Sequence, residues 1–319
     1  MRQFFLILLL FPIIALGQSA YEKGEKLYKQ EKFSQAKPLL ESFSKQNPTH
    51  TKTREYLGDI AAFDNDWDLA MRYYKNLVQE SPNNADYNFK YGGSLGMKAK
   101  SINKFRAITY INDIKTYLGK AIELNPRHIE AHWAMVELYM QLPAILGGSE
   151  KISLKCANQL LKISPVDGHL ALGYIAEYNN KLKEAEKHYK QAIAIGDSPL
   201  TYEKLADLYE NKTNQPEKAI KTREISLEKH QRNNLNYQIG KVSAIYNIEL
   251  QKGLAYLKTF LKNYSGKEVQ PIEWAYFRIA QIYKHLGNKV EAENWISKAL
   301  SLKIDFKEAQ EEKRLIRSL

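Results

Sequence analysis

Residues 57–82 read LGDIAAFDNDWDLAMRYYKNLVQESP, and the spacing inside this stretch decides the fold. Gly58, Ala70, Tyr74, Leu77 and Pro82 stand 34 residues after Gly24, Ala36, Leu40, Phe43 and Pro48, with all five intervals equal. A fixed period of this length means that one supersecondary unit is repeated, so a domain count taken from the 319-residue length does not apply. The residue types say what the unit is. Small residues in the first half and at the start of the second let two antiparallel helices approach closely, and a ring or Leu fills the space beside them. Pro then ends the second helix.

Working outward, a third unit opens with Tyr91-Gly92 and Leu95 and closes with Leu118, Ala121 and Pro126, lengthened by about ten residues around Ser101 to Thr109. A fourth runs from Ile129 through Trp133, Met135 and Tyr139 to Ala157, Leu160 and Pro165, with a Gly-rich connection from Leu142 to Ser149. The fifth (Leu172-Gly173, Ala176, Ala185, Tyr189, Ala192) is regular. The sixth loses the pattern at Arg223 and Ser226, and the seventh carries Gly253 where Ala is usual. The eighth (Tyr276, Ile279, Ala280, Tyr283, Gly287, Ala292, Ile296, Ala299) recovers it, and Phe306 to Leu319 reads as a capping helix.

Leu57-Gly58, Ala61, Ala70, Tyr74, Leu77 and Pro82 resemble the tetratricopeptide repeat. The resemblance covers roughly Ala20 to Leu319 and implies an all-α, right-handed α-solenoid of about eight helix pairs over 18–304, with a capping helix over 305–319. It also implies a function class, a scaffold that binds a protein or peptide through its concave face; the alternative of another class is an enzyme or metal-binding protein, and no catalytic motif in the residues supports an enzyme. In such repeats the first helix of each pair lines the groove. The residue two before the Leu-Gly pair and the one just after it then point inward. Those positions hold Glu55 and Asp59, Phe89 and Gly93, Trp133 and Glu137, Leu170 and Tyr174, Glu203 and Asp207, Tyr237 and Lys241, and Phe277 and Gln281. Aromatics mixed with carboxylates suit a segment with apolar and basic features.

Met1 to Ala20 reads MRQFFLILLLFPIIALGQSA, with Arg2 ahead of a 13-residue apolar run from Phe4 to Leu16. A spanning helix needs about 20 apolar residues and a signal-peptide core about 7–15, so residues 1–17 are expected to be a cleaved signal and the mature chain periplasmic or secreted. Ala15 and Gly17 place the cut before Gln18. Loss of Arg2 takes the formal charge from +11 to +10. The charges are dispersed, which argues against nucleic acid, while contact with an anionic membrane or polysaccharide is the runner-up reading. No cofactor or metal is implied. His128 and His132 flank Glu130, but H-x-E-x-H is not the H-E-x-x-H of zinc proteases and no third ligand is evident. The segment 143–149 lacks the Lys of a phosphate loop, and Ser149 reads instead as a helix cap. Cys156, the single Cys, reads as a buried core residue. Partner identity and oligomeric state are not legible.

Overall fold

A computed structural model describes residues 20–266 and 268–319; the expected signal, 1–17, lies outside them. The described residues form helices joined by turns and divide into two compact units, one ending at Ile163 and one beginning at Ser164.

The first unit contains α1 (20–29), α2 (Phe33–Gln46), α3 (Thr51–Phe63), α4 (Trp67–Glu80), α5 (Ala85–Ser101), the short α6 (Lys104–Ala107), α7 (Ile111–Leu124), α8 (Ile129–Gln141) and α9 (Glu150–Ile163). α3 packs on α4, α5 on α7 and α8 on α9, and each second helix also packs on the first helix of the next pair. The crossings sit where the spacing places them. A Cβ on Gly58 would lie 2.7 Å from the Tyr74 ring, and one on Gly92 would lie 3.1 Å from Leu118. Gly58 and Tyr74 are sixteen residues apart, as are Gly24 and Leu40; Gly92 and Leu118 are separated by ten more, the length of the insertion. That insertion lengthens α5 and adds α6 and a 3-10 turn (Ile108–Tyr110), leaving the crossing itself intact.

The second unit contains α10 (Pro165–Tyr178), α11 (Leu182–Gly196), α12 (Pro199–Asn211), α13 (Pro216–His230), α14 (Asn233–Tyr246), α15 (Leu250–Lys262), α16 (Ile272–His285), α17 (Lys289–Leu302) and α18 (Lys307–Arg317). Four pairs follow one another and α18 covers α17 through Phe306, Ala309 and Ile316. Pro165, Pro199 and Pro216 open their helices at the position where the missing N–H costs nothing. Asn180, Asn214 and Asn247 turn the chain between the helices of a pair in the left-handed conformation that Asn tolerates better than most residues. The irregular sixth and seventh pairs are packed by other means. Arg223, 3% exposed, bridges Asp207 at 2.8 Å and Glu210 at 2.7 Å, and Lys241 reaches Glu210 at 3.2 Å. Gly253 is where α15 meets α14: a Cβ there would lie 2.3 Å from that of Ser243.

Candidate partner-binding face

Three first helices, α3, α5 and α8, are tied side by side in the first unit, and their ties are side chains from the expected inner positions and their neighbours. Asp59 accepts from Tyr28 Oη and Tyr74 Oη, each at 2.7 Å, and from Lys90 Nζ. Lys90 also reaches Glu55 at 2.7 Å. The two carboxylates expected to meet a basic partner thus share Lys90, which belongs to the next repeat, and Glu55 also pairs with Lys52 at 2.9 Å. Glu55 responds accordingly: burial raises its carboxyl, and Lys90 and Lys52 outweigh that and hold it below the usual range.

Between α5 and α8 the arrangement is different. At one end Phe89 packs against His128, ring centroids 4.8 Å apart and the rings tilted by 50°, and at the other Lys100 pairs with Glu137 at 3.3 Å. Residues 89, 93, 96, 97 and 100 fall on one side of α5 by helical spacing, and 133 and 137 on one side of α8. A Cβ on Gly93 or Gly96 would meet nothing within 4 Å. The stretch of α5 between the two ties is therefore bare backbone edged by Phe89 and by Met97, whose side chain is exposed; on α8, half-buried Trp133 shares a side with Glu137 by spacing. Gly92, one residue away, is packed against Leu118. The Gly-rich run thus serves two purposes, close packing at Gly92 and open space at Gly93 and Gly96. Spacing alone places Gly93 on the inner face; it does not distinguish an empty face from a filled one.

The corresponding positions of the second unit are largely closed. Tyr237 is 2% exposed and packs on Phe260 at 5.5 Å; Phe277 is 4% exposed and packs on Phe306 at 5.3 Å, and Leu170 is buried. These three belong to the core rather than to a surface, because α15 covers Tyr237 and the segment entering α18 covers Phe277. Asp207 and Lys241 are engaged in the Arg223–Glu210 network, and Gln281 bridges Arg278 at 2.6 Å and Glu312 at 3.0 Å. Glu203 is exposed, and Tyr174 is half-buried with Tyr178 at 6.2 Å between ring centroids.

The remaining candidates resolve into structural roles. His128 Nδ1 accepts the Ala131 N–H at 3.3 Å and caps α8, while His132 Nε2 meets the Pro126 carbonyl at 3.0 Å, so the two rings do not converge on one point. Ser149 Oγ accepts the Ile152 N–H at 3.3 Å and caps α9. Before it, Gly147 is left-handed (φ 83°) and Gly148 lies so close to the Leu142 carbonyl that no side chain fits. Burial pushes the Cys156 thiol up, away from thiolate chemistry.

One pair escapes a reading of single residues. His169 Nδ1 of α10 and His188 Nδ1 of α11 are 3.1 Å apart, so one ring donates to the other and a second proton has no place. Burial lowers both rings below 6.5, and the neighbouring His169 lowers His188 further; burial lowers His285 in the same unit. The unfolded chain then takes up protons near pH 6.5 that the folded chain resists, so stability is fully present above that value and falls as pH drops through it. The thermal midpoint is expected to fall between about pH 7.5 and 5.5, and His188→Phe to flatten that dependence; carboxylates held low titrate below this window.

Comparison with known proteins bears on the fold. One tetratricopeptide-repeat family model matches residues 21–85 and a second matches 275–303. A tetratricopeptide repeat protein from Parabacteroides merdae ATCC 43184 is 14% identical, with 95% of this chain and 99% of that one covered at a TM-score of 0.50. YrrB, a repeat protein with an unusual peptide-binding site, is 17% identical over 62% and 97% of the two chains (TM-score 0.44). TTC0263, a thermophilic repeat protein from Thermus thermophilus, is 18% identical over 77% and 99% (TM-score 0.41). No curated protein sequence matches. The first of these structures shows a shared all-α repeat fold and nothing beyond it.

Proposed function

Because the chain is a tetratricopeptide repeat protein, an all-α repeat solenoid, we propose that it is a non-catalytic scaffold that holds a protein or peptide partner on the α5–α8 face. The observation that carries this reading is the empty stretch of α5 at Gly93 and Gly96, set between two ties to α8, the helix that carries Trp133. Bare backbone beside rings lets a chain segment approach closely, and an apolar side chain of that segment gains from burial against Phe89, Met97 and Trp133. Lys100 and Glu137 at one end offer both charge signs to the segment's polar groups. Scaffolding for protein partners is a common use of this repeat, which supports the same choice. We place the protein in the cell envelope, periplasmic or secreted, on the strength of the short apolar run ending at Leu16; the mass of the exported chain should begin at Gln18.

The test is affinity capture from the native envelope fraction with the chain from Gln18 onward, side by side with Trp133→Ala and with Lys187→Ala on the second helix α11. A partner retained by the parent and by Lys187→Ala, and lost by folded Trp133→Ala, is the expected result. A central ring truncated at a hot spot costs about 2 kcal/mol, roughly thirtyfold in affinity. Equal retention by all three would remove Trp133 from the binding surface.

A further inference from the structure

Both departures from the 34-residue period in the first unit fall at one edge of it. The insertion after α5 carries α6 and the turn into α7; the long connection 142–149 joins α8 to α9. Lys115, near the start of α7, donates to the Leu146 carbonyl at 3.0 Å and lies over the Tyr139 ring, so the second connection is held against the helix that the first one enters. Neither connection contributes a buried side chain between residues 101–110 or 142–149. What they present outward is apolar: Phe105 is 88% exposed, Ile145 92% and Ile108 44%. A single exposed apolar residue is ordinary, but bare tips on two irregular connections at one edge are not.

The charge of the first connection is mainly basic, while 142–149 carries none and runs into Glu150-Lys151. From Met97 to Lys115 the chain carries Lys98, Lys100, Lys104, Arg106 and Lys115 against Asp113 alone. Lys98 pairs with Asp68 and Lys100 with Glu137; Lys104 and Arg106 stand on either side of Phe105 and are exposed. We propose that this edge docks on an anionic bilayer surface, with Phe105 and Ile145 entering the headgroup region and Lys104 and Arg106 lying against the lipid phosphates. Isolated projecting side chains suit a deformable interface, which needs no matching pocket, whereas a protein partner would need one around each tip. Stable attachment to a bilayer takes two signals, and apolar insertion with basic flanks supplies both. Among the described residues no helix is long and apolar enough to cross a membrane, and the proposed contact is at the bilayer surface. This inference is independent of the α5–α8 face.

The test is flotation of the chain from Gln18 onward, which holds every described helix and its core, with vesicles of phosphatidylglycerol and phosphatidylethanolamine or of phosphatidylcholine alone. Circular dichroism establishes that each variant is folded. The parent is expected to float with the anionic vesicles, less so in high salt, and to stay behind with phosphatidylcholine. Phe105→Ser/Ile145→Ser and Lys104→Glu/Arg106→Glu are each expected to lower the bound fraction at least about tenfold, and Trp133→Ala to leave it unchanged. A parent that does not float with anionic vesicles overturns the proposal. So does a folded Phe105→Ser/Ile145→Ser variant that floats as well as the parent, whatever the charge variant does, since the contact would then lie elsewhere on a basic surface.

Discussion

Arg223→Met is expected to lower the stability of the chain by about 3–5 kcal/mol. Arg223 is nearly inaccessible and shares its guanidinium between Asp207 and Glu210, and Glu210 is itself buried. Removing the cation leaves Glu210 with Lys241 alone, at 3.2 Å, and a buried carboxylate with reduced compensation is costly. Methionine fills much of the volume, so the loss measures charge more than cavity. Arg223→Met/Glu210→Leu should recover most of it, because Asp207 and Lys241 are open enough to be hydrated once their partners are gone. Chemical denaturation of the two variants checks both statements. A double variant as unstable as the single one would mean that packing, not the buried charge, dominates.

The second large effect is expected at the helix crossings. Gly240→Leu should cost at least about 3 kcal/mol or prevent folding, since the first added carbon already lies 2.3 Å from Leu257 Cγ and 2.9 Å from the Gly253 carbonyl. The backbone carbonyl cannot swing away as a side chain would. Gly93→Ala should go the other way and stabilise by about 0.5–1 kcal/mol, because a helical Gly with free space beside it loses conformational entropy on folding and gains no contact from the lack of a side chain. Thermal melts of Gly240→Leu and Gly93→Ala against the parent measure this contrast, and a stabilised Gly240→Leu would contradict the crossing geometry.

That contrast marks how far the residues alone could be read. The crossing glycines are legible because each comes with a filler at a fixed interval: Gly24 with Leu40, Gly58 with Tyr74 and Gly173 with Tyr189, all sixteen residues on. The interval follows from the length of a helix pair: the ten inserted residues of the third unit lengthen it from Gly92 to Leu118, and Gly240 meets Leu257 one residue later than the rule. The inner face is harder, because what a side chain there does depends on the neighbouring repeat. Asp59 reads as a free acid when taken in its own unit, and it is Lys90, 31 residues further on, that pairs with it and with Glu55. Arg223 looks like a break in the apolar pattern until Asp207 and Glu210 on the preceding helix are placed against it. Tyr237 and Phe277 occupy inner positions by period but are covered by neighbouring elements, Phe277 by the Phe306 ring that leads into the cap. The His169–His188 contact has no sequence signal beyond two histidines nineteen residues apart.

The affinity of a captured partner for Gly93→Leu, compared with Gly119→Leu, tests the α5–α8 face most directly. Both glycines sit in helices of the same pair, and a Cβ added at either meets nothing within 4 Å, so both variants are expected to fold, which circular dichroism checks. Only Gly93 lies on the α5 stretch between the two ties to α8; Gly119 is on the second helix, α7. If the partner lies against bare α5 backbone, Gly93→Leu fills its place and weakens binding at least about tenfold, while Gly119→Leu binds as the parent does. A folded Gly93→Leu that binds with the parent's affinity would contradict the placement of the partner on this face.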